Sequence, residues 1–127
     1  MTHSISDLPG FDISDALDRF GGSKAKFYKY LCLMIADFDK RFPAVKLAVN
    51  AADGLSASAQ LHSLAGTASA LSATELASLC HYCELNCKQQ NWPAAAQHVS
   101  KIEGLLTSIS LHLRQLGYNQ NGGGPVW

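Results

Sequence analysis

The chain has 127 residues, 47% of them hydrophobic, enough for one domain with its own core and no need of a metal or disulfide framework. Ten Lys and Arg balance ten Asp and Glu without forming a basic cluster, which excludes a nucleic-acid binder that works by tracking phosphates. No apolar run approaches the roughly 20 residues of a bilayer span, and the opening Met1-Thr2-His3-Ser4-Ile5-Ser6-Asp7 lacks the basic and apolar regions of a signal peptide, so a cytoplasmic protein without membrane contact is expected.

Residues 1–8 are expected to be a flexible start, and Leu8-Pro9-Gly10 reads as a turn. Ser14 is placed to cap a short helix through Phe20, with Ile13, Leu17 and Phe20 on one side and Gly21-Gly22 ending it. Ser23 caps the next helix, in which Phe27, Tyr30, Leu31, Met34, Ile35 and Phe38 recur at helical spacing up to about Arg41. Pro43 is expected to kink or restart it, the second piece running to about Ala51. Asp53-Gly54 breaks the chain before a third helix, about Ser56 to Leu71, and Ser72 or Thr74 opens a fourth that ends about Gln89. After the turn at Asn91, Pro93 suits the first turn of a last helix to about Leu116. Residues 117–127, with Gly122-Gly123-Gly124-Pro125, are too poor in apolar side chains to fold and are expected to be disordered. No segment alternates with period 2. The expected fold is therefore all-α: residues 9–116 as an up-down four-helix bundle, with the short extra N-terminal helix as a lid.

The third helix carries the most informative side chain. His62 is the lone ionisable residue between Gly54 and Thr74, set among Ser, Ala and Gly. At about 100° per residue, Ala57, Leu61, Leu64, Ala68 and Leu71 share one stripe, the expected core face. Ser58, His62, Ala65, Gly66 and Ser69 fall on a second stripe roughly 130° round. His62 is thus expected to point outward, with Ser58, Ala65, Gly66 and Ser69 as an uncrowded surface for a docking partner. Gly66 costs about 1 kcal/mol relative to Ala inside a helix, which is easier to understand where another surface approaches closely. A neutral imidazole is a nucleophile near neutral pH, and phosphoryl exchange between macromolecules suits this placement.

Cys80, Cys83 and Cys87 lie within about 60° of one another on one helix, with His81 beside them. Three thiols on one helix cannot surround a tetrahedral ion without ligands from elsewhere, and free Cys packs well as a small hydrophobe, so packing is the expected role and no metal site is assigned. His3, His98 and His112 read as solvated or boundary residues, and so does His81, beside bulky Tyr82 and Leu85. The Phe27, Tyr30, Leu31, Met34, Phe38 stripe is read as core, the alternative being that part of it extends beside His62 as an apolar rim for a docking partner.

The run His62-Ser63-Leu64-Ala65-Gly66, followed by Leu71-Ser72-Ala73-Thr74-Glu75-Leu76 and Cys80-His81-Tyr82-Cys83-Glu84, resembles the signature of histidine phosphotransfer (HPt) domains: His-x-Leu-Lys-Gly, then Leu-Gly-Ala with a following Leu, then Cys-x-x-Leu-Glu. Pro9-Gly10-Phe11-Asp12-Ile13 and Leu17-Asp18-Arg19-Phe20-Gly21-Gly22 are similar to the start of HPt domains at the C-terminus of hybrid sensor kinases.

The resemblance implies a four-helix bundle in which His62 is the phosphoacceptor of a two-component His-Asp phosphorelay, taking the group from a receiver aspartate and passing it to another receiver. It implies no cofactor of the chain's own, the Mg²⁺ coming with the receiver, and a monomeric phosphocarrier without ATP-dependent kinase activity. The chain is either free-standing or the cytoplasmic end of a membrane-bound hybrid kinase. The alternative is a receiver- or regulator-binding module of the same fold without phosphotransfer. Two departures bear on the choice: the frequent Lys three residues after the His is Ala65, and the usual Gly after Leu71 is Ser72. A Lys there would offset the charge of a phosphoramidate. Lys24, Lys26, Lys29 and Lys88 are candidate substitutes.

Overall fold

The computed structural model describes residues 4–117. It is all-helical: α1 (Ile13–Arg19), α2 (Lys24–Asn50), α3 (Gly54–Ala70), α4 (Thr74–Lys88) and α5 (Trp92–Gln115), preceded by a single 3-10 turn at Ile5–Asp7. The expected disordered tail lies outside the described residues apart from Gly117, as does His3.

Helices α2 to α5 form the four-helix bundle. Three-residue links leave consecutive helices no choice but to run antiparallel. Each link is built alike. The middle residue takes a left-handed conformation (Ala52 φ 54°, Ser72 φ 56°, Gln90 φ 58°), and the next amide reaches back to a carbonyl of the preceding helix: Asp53 to Ala48 at 2.9 Å, Ala73 to Ala68 at 3.0 Å, Asn91 to Asn86 at 2.8 Å. These bonds close the helix ends that would otherwise leave carbonyls unpaired.

At two links the next residue also caps the new helix, Asp53 accepting from the Ser56 amide and Asn91 from the Ala94 amide. At α4 the cap position is Ala73, which has no side chain to offer. The chain before α1 supplies the acceptor instead. Gly10 carbonyl accepts from the Glu75 amide at 3.1 Å, and the Asp12 amide donates to Ser72 carbonyl at 3.0 Å. Gly10 has φ +77°, and a Cβ there would come within 2.9 Å of Glu75, so this close approach requires glycine.

The core runs the length of the bundle: Phe27, Leu31, Met34, Phe38 and Val45 of α2, Leu61 and Leu64 of α3, Leu76 and Cys80 of α4, and Ile102 and Ile109 of α5 are fully buried. Phe27, Leu31, Met34, Ile35 and Phe38 are core as expected. Tyr30 is not; it is 45% exposed and stacks on Phe20 at 5.3 Å.

Three further expectations are corrected. α2 is one helix of 27 residues through Pro43. Pro43 removes the bond to the Asp39 carbonyl, but both residues are exposed, so water can take that acceptor, while Phe38, Phe42, Val45, Ala48 and Val49 are buried on either side of it. The cap of α1 is Asp12 rather than Ser14, accepting from the Asp15 amide at 3.1 Å. α4 opens at Thr74, one of the two expected starts, although neither side chain caps it. Residues 4–8, expected to be loose, are packed: Ile5 and Leu8 are buried, and His112 Nε2 lies 2.7 Å from the Ser4 carbonyl.

Candidate functional site

The wheel places His62 correctly. Ala57, Leu61, Leu64 and Ala68 of α3 are fully buried, and the His62 side chain is 79% exposed. Its Nδ1 lies 3.3 Å from Glu84 Oε1 on α4. Glu84 is itself buried, and its Oε2 accepts from Lys88 Nζ at 2.8 Å. Burial pushes the Glu84 carboxyl up, but the hydrogen bonds from Lys88 and His62 outweigh it and leave the group below the usual glutamate value. Glu84 is therefore a carboxylate at neutral pH.

An ionised carboxylate only accepts hydrogen bonds, which decides the tautomer of the neutral ring: Nδ1 carries the proton and Nε2 the free lone pair. Lys88, Glu84 and His62 form a chain of charge and hydrogen bonds, with the unprotonated ring nitrogen at its outer end.

His62 lines a concavity of about 350 Å³ between α3 and α4, together with Ala65, Gly66 and Ser69 from one helix and Ala77, Ser78, His81 and Tyr82 from the other. A Cβ at Gly66 would meet nothing within 4 Å among the described residues. Internal packing therefore does not require glycine at this position.

Three of the four expected docking residues, Ala65, Gly66 and Ser69, line this concavity. Ser58 does not. It is buried, with its hydroxyl donated to the Leu55 carbonyl at 3.2 Å. Relative to His62, Ser58 and Ala65 lean roughly 40° and 60° toward the core stripe, whereas Gly66 leans away. The stripe's core-side edge is accordingly covered, leaving Ser58 buried and Ala65 half-buried.

The α4 wall was not foreseen. A helical wheel reports neighbours on one helix only, and Ala77, Ser78, His81 and Glu84 reach the site from the next. Glu84 stood in the motif without a role. His81 is exposed as expected, yet it is not simply solvated: it lines the same concavity as His62, and its Nδ1 lies 4.0 Å from the same Glu84 oxygen. Of the four candidate lysines, Lys88 is tied to His62 through Glu84; Lys24, Lys26 and Lys29 do not line the concavity.

The cysteines pack. Cys80, Cys83 and Cys87 are fully buried, and burial pushes the thiols of Cys80 and Cys83 up to about 12 and raises that of Cys87, so they stay protonated. Among the described residues, no three His, Cys, Asp or Glu side chains converge on a metal position. His98 and His112 are boundary residues, half-buried on α5.

A helical bundle that projects one carboxylate-anchored imidazole from its second long helix defines a narrow class of molecules. The sequence matches the Hpt domain family over residues 29–112, more than half of its length, and the chain belongs to that family. Hpt domains serve histidine phosphotransfer in phosphorelays and interact with receiver domains. Comparison with curated proteins and with solved structures gives no match. Among the described residues, no helix is long and apolar enough to cross a membrane.

Proposed function

We propose that His62 is the phosphoacceptor of a His-Asp phosphorelay, taking the group from one receiver domain and delivering it to another. The observation that carries this reading is the asymmetric setting of the ring, with Nδ1 held by buried Glu84 and the rest exposed over a floor of small residues.

The transfer is an in-line displacement. The Nε2 lone pair of His62 forms a bond to the phosphorus of the receiver's aspartyl phosphate, the P–O bond to that aspartate breaks, and the aspartate leaves as a carboxylate. The ring gains positive character as the N–P bond forms, and the Glu84 carboxylate, accepting from Nδ1–H, stabilises it. The receiver brings the Mg²⁺ that neutralises charge on the transferring oxygens. The chain supplies positioning: a fixed ring, a known tautomer, and room for a second active site to close over it. It is a carrier, and ATP alone should leave it unlabelled.

The test is phosphotransfer from a panel of phosphorylated receivers. The expected product is acid-labile, as a phosphoramidate is and a phosphoserine is not, and His62→Gln abolishes labelling while leaving the helical circular dichroism unchanged. Labelling retained in His62→Gln overturns the assignment. Receiver binding without label on the wild-type chain supports the docking-module alternative.

A further inference from the structure

A phosphoryl group on Nε2 of His62 would place about two negative charges over the concavity, where a cation of the chain would stabilise them. Taking His62 as the acceptor, we propose that His81 is this group: its protonated imidazole, across the concavity on α4, stabilises phospho-His62 and does the work of the lysine that Ala65 lacks.

On α2, Lys24, Lys26 and Lys29 do not line the concavity. On α3, residues 54–70 contain no Asp, Glu, Lys or Arg, so His62 is that wall's one ionisable side chain. On α4, Lys88 is committed to Glu84 Oε2 at 2.8 Å, which places its charge behind Nδ1, on the far side of the ring from the attacking nitrogen. Glu84 itself is negative and buried, and it faces Nδ1. On α1, Arg19 donates to the Ser69 carbonyl at 3.1 Å and pairs with Asp15 at 2.9 Å, about two helical turns beyond His62. On α5, His98 lies against the Tyr82 ring, 6.3 Å between centroids, with its Nδ1 2.9 Å from the Ala94 carbonyl.

That leaves His81. It is 60% exposed, it lines the concavity with His62, and its Nδ1 is 4.0 Å from the Glu84 oxygen that anchors His62. The Glu84 carboxylate lies beside Nδ1 of His81, and the ring lines the space a phosphoryl group on His62 would enter. Attraction between such a cation and a phosphoryl group at a solvated site shifts the phosphorylation equilibrium about fivefold. Histidine changes charge between about pH 5 and 8, so a lysine in its place would act over the whole range and a histidine over part of it. Phosphoryl occupancy of the carrier would then depend on pH through His81.

The experiment uses the full chain and whichever panel receiver labels it. The equilibrium fraction of phosphorylated chain is compared for wild type, His81→Gln and His81→Lys at about pH 6 and about pH 8. Ratios of variant to wild type cancel the receiver's own pH dependence. His81→Gln is expected to lower the transfer equilibrium about fivefold at the lower pH and little at the higher. His81→Lys is expected to match wild type at the lower pH and exceed it at the higher. An unchanged equilibrium in His81→Gln, or an equal fall at both pH values that Lys does not rescue, overturns the proposal and leaves His62 as acceptor. A wild-type chain that no receiver labels overturns both.

Discussion

Helix α4 holds an imidazole on each of its two seams. Toward α3, Glu84 meets Nδ1 of His62 at 3.3 Å; toward α5, Nδ1 of His98 lies 2.9 Å from its own helix's Ala94 carbonyl and 3.3 Å from the Asn86 amide of α4. A carbonyl only accepts, so the shorter contact puts the proton of the neutral His98 ring on Nδ1, the same tautomer as His62, and the Asn86 amide nitrogen cannot then donate to it. The tautomer is thus common to both seams. What distinguishes His62 is a charged anchor rather than a neutral one, and access: the His98 ring is half-buried beside Tyr82, whereas His62 stands over Gly66 and Ser69. A fixed tautomer is inexpensive for a helix to provide, while a buried carboxylate and a floor of small residues are not.

Access should matter most. Gly66→Tyr fills the concavity and keeps a receiver from closing over the ring, and the phosphotransfer rate should fall about a hundredfold, since a displacement of about 1 Å in a transfer geometry has that effect. Gly66→Ala should leave transfer intact and stabilise the chain by about 1 kcal/mol, because the added methyl meets nothing within 4 Å among the described residues and removes the helix penalty of glycine. On the opposite seam, His98→Gln should leave labelling unchanged. Equal transfer by Gly66→Tyr and wild type would mean that the small residues have no part in docking.

The anchor comes next. Glu84→Gln replaces the carboxylate with a neutral amide, weakening the bond to Nδ1 and the support for positive charge in the ring; hydrogen bonds to charged groups are worth about 1.5–3 kcal/mol, so transfer should slow about tenfold or more. Asn86→Ala, the matching change on the other seam, should not slow it. The pH dependence has a definite sign. Because the Glu84 value is lowered in the folded chain, its contribution to stability is present above the unfolded value near 4.5 and is lost as the pH falls through the folded one. Acid unfolding of Glu84→Gln should therefore begin from a less stable protein at neutral pH and converge on wild type as the pH falls through the folded Glu84 value.

How far the sequence discloses this design differs between the seams. The inward stripe of α3 and the outward position of His62 follow from helical periodicity, because both depend on one helix alone. Glu84, His81 and Lys88 escape it, because they reach His62 from another helix and their register against α3 is set by tertiary packing. Pro43 misleads for a related reason: a local rule ends the helix there, and the buried residues around it, Phe38, Phe42, Val45, Ala48 and Val49, keep it intact. Asp12, Ser14 and Asp15 are all residue types that cap helices; the bond from the Asp12 amide to the Ser72 carbonyl, 60 residues away in the chain, fixes where α1 starts. Residues 4–8 carry two apolar side chains, too few to signal that they pack.

The smallest effects belong to the links at the two ends of α4. Both place a non-glycine residue in the left-handed region, Ser72 at φ 56° and Gln90 at φ 58°, where an L side chain is disfavoured by about 1–2 kcal/mol. Their surroundings differ. Gln90 is exposed, whereas the Ser72 hydroxyl is buried and donates to Asp15 of α1. Gln90→Gly should relieve the backbone and, after the extra freedom of glycine in the unfolded chain is allowed for, stabilise the protein by about 0.5–1 kcal/mol, a rise of a few degrees in Tm. Ser72→Gly relieves the same backbone strain but breaks the bond to Asp15, so its Tm should stay level or fall. That bond, helped by Arg19 against partial desolvation, holds the Asp15 carboxyl below its ordinary value. Its contribution is therefore present above the unfolded value and fades as the pH drops through the folded one, and the gap between the two variants should narrow in acid. Equal gains in Tm from both glycines at neutral pH would show that the Ser72 hydroxyl contributes nothing to holding α1 against the end of α3. The left-handed serine would then have no structural reason to differ from the left-handed glutamine at the other end of α4.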